Sequence, residues 1–250
     1  MYLRAVHADA TLATLRQLVR DNPLGVITTA IPSKSAPLIQ VSHVPFLLDF
    51  DASSDEDNGV LRGHLTRVNP QAKTMIESLA NSSTNTLEQE VLVLFTSPAQ
   101  HYVTPKYYTE TKPSTGKVVP TWNYAAAQCY GKARIFHDTK DPKTGGFILQ
   151  QVNDLSRYAE ESLMGFDGQE GRQTAWGVKD APERYIELLS KSIIGIEITV
   201  DRFEGKFKMS QELREGDRDG VVAGFDALGT DVGKRVAEIV KERQEVKQKA

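Results

Sequence analysis

Cysteine is almost missing from this chain: there is one, Cys129, in 250 residues. One thiol cannot form an intrachain disulfide, so the core must hold the fold, as is usual in reducing compartments. Long apolar runs are missing as well, none approaching the roughly 20 residues that cross a bilayer as a helix. Met1-Tyr2-Leu3-Arg4 leads into a polar, amphipathic segment and not into the apolar stretch of a secretory signal. A cytoplasmic protein without membrane contact is expected, with the nucleus as the alternative. Neither charge sign dominates: 30 Lys and Arg against 33 Asp and Glu leave a net charge of -3, which argues against a surface built to neutralise nucleic-acid phosphates along its length. There is no internal repeat, no G-x-G-x-x-G after a strand, no P-loop, no paired Cys-x-x-Cys and no His-Glu-x-x-His, so the standard nucleotide and zinc readings lose their support.

With 40% hydrophobic and 25% charged residues, the chain can build a substantial core. Asp9 is the expected cap of a first helix carrying Leu12, Leu15, Leu18 and Val19 on one face, stopped at Asn22-Pro23. Residues 25–31 and 38–50 read as paired strands, and the acidic, serine-bearing 49–58 segment reads as a loop into a third strand, 59–66. Asn69 and Pro70 then open a helix with Ala72, Met75, Ile76 and Leu79 as its stripe. Residues 91–97 read as a strand buried on both faces, 125–136 as another, and 101–124 as an ordered functional loop without a clean period. A helix is expected over 142–163, a glycine-rich loop over 164–177, and a helix from Ala181-Pro182. A hairpin is expected from 193–203 to 206–209 across Glu204-Gly205, then an amphipathic helix from about 226. Sequential strands with appended helices predict a mainly β (α+β) antiparallel barrel over 1–225, followed by a C-terminal helix and charged tail over 226–250.

Four constellations could carry chemistry. On the third strand Arg62, His64 and Thr66 share a face, and Arg67 stands where it gives way to the helix capped by Asn69. A guanidinium fork, a hydroxyl and a helix N-terminus together suit a dianion, and an ordinary exposed strand face with a cap is the competing reading. In the second, Lys117 precedes Thr121-Trp122-Asn123-Tyr124, where aromatic walls and an amide suit a planar heteroaromatic ring or, equally, an interface anchor. The third, Gln100 to Tyr108, could add aromatic surface or merely pack. In the fourth, Lys206 and Lys208 share a strand face that could complete an anion pocket or serve as a solvated edge.

Taken together these segments resemble the PaiB family, the FMN-binding negative transcriptional regulators. The resemblance rests on Met1-Tyr2 with His7, Asn22-Pro23-Leu24-Gly25 and His43-Val44-Pro45-Phe46-Leu47-Leu48-Asp49. It continues in Gly63-His64-Leu65-Thr66-Arg67-Val68-Asn69-Pro70-Gln71, in 116–124, in Asp180-Ala181-Pro182 and Ile194-Gly195-Ile196-Glu197-Ile198, and in 204–211 and 217–222. It implies a split-barrel FMN-binding fold, a homodimer with flavin at the subunit interface, a phosphate near Thr66, Arg67 and Asn69, and a ring near Lys117 to Tyr124. The chain departs from the pattern in longer segments at 51–58, 79–90, 109–115 and 164–172. It also has Glu212-Leu213-Arg214 where the family tends to place asparagine and proline.

Three functions are weighed. The first is the regulatory or sensing role the family name implies, although no helix-turn-helix, basic recognition helix or basic arm is present to contact DNA. The second is a flavin-dependent oxidoreductase, in which the flavin carries the redox step and His64 or His101 is the only candidate for proton transfer. The third is a haem-binding or haem-handling barrel, with His43, His64, His101 or His137 as axial ligand.

Overall fold

Alternation of side chains decides which way the third strand looks. In Val60–Thr66, Leu61, Gly63 and Leu65 are buried while Arg62, His64 and Thr66 point outward. A computed structural model places this strand in the following order, describing residues 1–54 and 56–249, with side chains through Gln244: β1 (Ala8–Asp9), α1 (Leu12–Asp21), β2 (Leu24–Ala30), β3 (Ile39–Pro45), β4 (Leu47–Asp49), β5 (Val60–Thr66), α2 (Pro70–Leu79), β6 (Thr86–Thr96), β7 (His101–Val103), α3 (Thr111–Thr115), β8 (Thr121–Phe136), α4 (Pro142–Tyr158), α5 (Glu183–Lys191), β9 (Ile193–Lys208), α6 (Glu215–Asp226) and α7 (Asp231–Lys249). The chain divides into one unit of Met1–Asn22, Phe95–Gln128 and Phe203–Ala250 and another of Pro23–Leu94 and Cys129–Arg202.

In the second unit the strands follow the order β3-β2-β6-β8-β9-β5-β4, and the registers of β2 with β3 and β6, and of β5 with β4 and β9, are antiparallel. The first and last strands of this order, β3 and β4, are consecutive in the chain and separated only by Phe46. A sheet whose two ends are joined by one residue must curl, and because β3 and β4 do not pair with each other the result is a split barrel. Leu61, Gly63 and Leu65 pair with Ile198, Ile196 and Ile194, all inside, where each buried aliphatic side chain contributes about 1.5–3 kcal/mol. Gly63 admits the ring of Phe46: a Cβ there would sit 2.8 Å from Phe46 Cε1. On the outside, Gly195 of β9 lies under Phe147 of α4, which stacks on Phe136 at 3.9 Å and 7°.

The first unit is built from strand ends and helices. Ala8 and Asp9 of β1 pair with Lys206 and Gly205 of β9, and His101, Tyr102 and Val103 of β7 pair with Asn123, Trp122 and Thr121 of β8. Its core takes Leu15, Leu18 and Val19 from α1, Val221 and Phe225 from α6, and Val236, Ala237 and Val240 from α7.

Several expectations change. Asp9 is not the helix cap: its carboxylate accepts from the Thr11 N–H and α1 starts after Thr11. The 38–50 run breaks at Phe46, whose N–H donates to the Pro23 carbonyl. β6 begins at Thr86, and Leu87, Val91, Val93 and Phe95 are buried while Leu92 and Leu94 are half-buried, so it is one-sided. β8 begins at Thr121, so Thr121 to Tyr124 are strand and not loop. The expected 101–124 loop also holds β7, a 3-10 turn at Pro105–Tyr107 and α3. The hairpin across Glu204-Gly205 is instead one unbroken strand, β9. Gly205 is there for close approach and not for a turn, because a Cβ would meet Leu15 Cδ2 at 2.1 Å. α4 ends in a π-helical turn, Ala159–Leu163. The helix α6 was not expected, its stripe being diluted by glycines at 216, 220 and 224. Gly224 is required by Tyr107, whose ring would lie 2.3 Å from a Cβ.

Candidate functional site

The β5–α2 corner and the β8–β9 strand ends hold the two groups of site residues, in different units. At the corner, the outward face of β5 is largely covered. Arg62 is ion-paired to Asp49 and, at 3.1 Å, to Asp154 of α4, and its Nη1 donates to Gln151 Oε1 at 3.3 Å. The bond from Asp49 holds the guanidinium above its ordinary pKa against the opposing effect of burial. Arg62 therefore anchors α4 to the barrel. His64, next along the same face, has an Nδ1 with no hydrogen-bond partner, and burial lowers its pKa.

Arg67 is a clasp for backbone. Its Nη2 donates to His137 O at 2.7 Å and Ile193 O at 3.3 Å, and its Nε donates to Lys191 O at 3.3 Å. Among the described residues, Nη1 alone of the three guanidinium nitrogens has no bonding partner. Burial lowers the pKa of the neighbouring His137, and the Arg67 charge adds to that effect. Asn69 caps α2 by accepting from Gln71 N at 2.8 Å, and its Nδ2 donates to Ser42 Oγ at 3.0 Å. With no N–H on Pro70 and that of Gln71 taken, α2 offers fewer free donors than its sequence suggests. Thr66 keeps an exposed hydroxyl.

At the other group, strand alternation separates the residues. Asn123 faces inward, fully buried, and its amide is committed to Ser210 Oγ at 3.0 Å. That pair locks the end of β9, where Ser210 takes a left-handed φ of 63° and Gln211 Oε1 accepts from Met209 N at 2.7 Å. Trp122 faces outward and is 50% exposed, its Nε1 donating to Gln100 at 3.2 Å and its ring meeting Tyr102 edge-on at 6.4 Å. Lys206 lies 5.4 Å over the ring of Tyr124, and Lys208 Nζ donates to Thr121 Oγ1 and to Trp122 O. Lys117 is exposed beyond the strand. The result is an aromatic cluster in which Trp122 is held by a hydrogen bond and two lysines stand beside it.

One constellation spans too much of the chain to be seen in sequence. Buried His7 Nε2 lies 3.0 Å from Glu212 Oε2, and Glu212 Oε1 is 4.0 Å from Lys208 Nζ. Burial opposes the Glu212 charge, but the bond with His7 and the Lys208 charge win and hold its carboxyl below the usual range. Burial lowers the Lys208 pKa, partly offset by Glu212. The 205-position separation of His7 and Glu212 in the sequence leaves no local signal for this contact.

No group of three His, Cys, Asp or Glu is placed to hold a metal ion among the described residues, and none of their helices is long and apolar enough to cross a membrane.

Residues 1–202 match the family described as "Putative FMN-binding domain". A protein of Emericella nidulans, named as uncharacterized, is 58% identical over 256 residues, covering 100% of each chain. The Bacillus subtilis "Protease synthase and sporulation protein PAI 2" is 24% identical over 243 residues, covering 97% of this chain and 98% of that one. Among solved structures, a flavocytochrome from Azotobacter vinelandii superposes with a TM-score of 0.46 at 9% identity, covering 82% of this chain and 72% of that one. A family match running from Met1 through most of β9 means that the chain belongs to the FMN-binding-domain family of PaiB type.

Proposed function

We propose that this protein binds FMN between two copies of itself and serves a regulatory or sensing role. The observation that carries the reading is the half-exposed Trp122, fixed by Gln100 and by the edge of Tyr102, with Tyr124, Lys206 and Lys208 beside it: an indole face held in place next to cations suits an isoalloxazine ring. Taken by itself, the β5–α2 corner suits a phosphate through Thr66 and Arg67 Nη1, with Asn69 fixing the helix start beside them. The flavin, when bound, supplies redox chemistry; the chain's own residues orient the ring and shield it.

Pairing of two copies is supported by the outer face of β3. Ile39 and Val41 are 63% and 53% exposed, and Val68, after β5, is 71% exposed, an apolar surface that a second copy would cover.

The test is an absorbance spectrum of the purified chain with and without added FMN, with mass by light scattering. A flavin spectrum on a dimer, lost in Trp122→Ala, is expected. A folded chain that takes up no flavin sinks the reading, and a sharp Soret band with haemin would replace it with the haem alternative.

A further inference from the structure

Near the start of the chain a histidine is buried against a carboxylate. His7 is 2% exposed, its Nε2 lies 3.0 Å from Glu212 Oε2, and its carbonyl accepts from Phe207 N at 2.8 Å, so both its backbone and its ring are tied to the end of β9 and the turn beyond it. The burial of a polar ring is offset here by a bond to a group that is itself largely covered.

The other oxygen of that carboxylate faces Lys208. Lys208 Nζ donates to Thr121 Oγ1 and, at 3.1 Å, to Trp122 O, and Glu212 Oε1 stands 4.0 Å away. All of these residues belong to the unit of residues 1–22, 95–128 and 203–250. A lysine is a compact charge on a flexible four-carbon stem, free to swing unless several partners hold its head. Two of the three ammonium N–H groups are bonded here, and Glu212 is beyond hydrogen-bond reach, so it favours the charge without taking the third N–H. Burial has the largest effect on Lys208 and opposes its protonation, as do Lys206 on the same strand and Arg4 in the N-terminal segment; Glu212 is the group that favours it. Tyr108, raised by burial and then by the Glu212 charge, stays a neutral hydroxyl.

We propose that His7 and Glu212 are positioning residues of the aromatic cluster: Glu212, fixed by His7, keeps Lys208 in place and charged beside Trp122, with one N–H open to an acceptor atom of a ring ligand. The proposal rests on the reading of that cluster as the flavin site, since an isoalloxazine ring carries carbonyl and ring-nitrogen acceptors.

The test reads Lys208 first without flavin. Competitive acetylation of the full chain with trace acetic anhydride from about pH 7 to 11, followed by mass spectrometry, gives the pH at which the Lys208 amine becomes reactive, with exposed Lys34 as reference. In Glu212→Gln, which keeps the shape and loses the charge, the Lys208 profile is expected to move to lower pH, because Lys206 and Arg4 remain and the counter-charge is gone. His7→Phe should move it the same way by releasing the carboxylate, and His7→Gln, which keeps a side-chain nitrogen to bond Glu212, should restore the wild-type profile. FMN titration over the same pH series gives the second readout. The alkaline loss of affinity should follow Lys208 in each variant, and Lys208→Met should weaken binding by about tenfold or more at neutral pH, the loss of a charge-assisted bond. Labelling profiles that coincide in the wild type, Glu212→Gln and His7→Phe overturn the proposal. So does an FMN affinity that ignores a shifted labelling profile, which would leave the pair a purely structural contact. Labelling that shifts as expected in a chain that takes up no FMN sinks the flavin reading alone, because the labelling is measured without flavin.

Discussion

Replacing Arg67 with alanine tests whether the guanidinium is primarily a structural clasp. The side chain joins the end of β5 to the carbonyls of His137, Lys191 and Ile193. The 2.7 Å bond to His137 O is short and charge-assisted, worth about 1.5–3 kcal/mol, whereas the two 3.3 Å bonds are long and weak. Arg67 is only half-buried, so water can replace part of what is lost, and the net destabilisation comes to roughly 2–3 kcal/mol. In a chain of 250 residues that corresponds to a melting temperature lower by about 4–12 °C. The assay is thermal unfolding of the flavin-free chain followed by circular dichroism, with Arg67→Lys alongside. A lysine keeps the charge but not the planar fork and should fall between the two. An unchanged melting temperature in Arg67→Ala would refute the clasp and leave the guanidinium to the ligand. FMN titration of the same variant measures the second role: use of Nη1 by the phosphate lowers affinity by about tenfold or more.

The remaining predictions concern packing, pH and thiol chemistry. Gly195→Val should destabilise the fold by about 1–3 kcal/mol in denaturant unfolding, since a Cβ there would lie 2.4 Å from Phe147 Cδ1 and force α4 off the sheet. His64 has a folded pKa lowered by burial, so its contribution is intact above its unfolded value of about 6.5 and is lost as pH falls below it. His64→Gln should flatten the stability profile just below pH 6.5. Glu212, also depressed, contributes above its unfolded value of about 4.3 and loses this as pH falls through the folded pKa, so Glu212→Gln should shrink the acid limb of the same profile. Cys129 is fully buried and burial pushes its thiol pKa up, so a thiol reagent should label the chain only after denaturant is added.

Much of the framework was legible because local rules govern it. The Asn69 cap and Pro70 start of α2, the two-faced alternation of β5, and the stripes of α1 and α7 each follow from residues a few positions apart. The hairpin expected at Glu204-Gly205 failed for the opposite reason. Glycine there answers to Leu15, about 190 residues earlier in the chain, and to nothing adjacent. The same holds for α6, whose glycines read as helix breakers but make room for Tyr107. At the candidate site, the sequence names residues but not their commitments. Asn123 faces inward to Ser210, Arg62 is taken by Asp49 and Asp154, and Trp122 stays outward, because pairing and packing assign the faces.

The sequence by itself determined the mainly β class, the position of the β5–α2 corner and the family, since these rest on side-chain period, capping chemistry and motif order. Only the tertiary structure decided that β3 and β4 close the strand order into a split barrel, that Arg67 clasps three carbonyls, that His7 meets Glu212, and that α4 and α5 enclose a cleft. The physical reason is one of range. Backbone preference and periodicity act over a few residues and are written in the chain, whereas hydrogen bonds and burial act over a few ångströms between segments that only folding brings together.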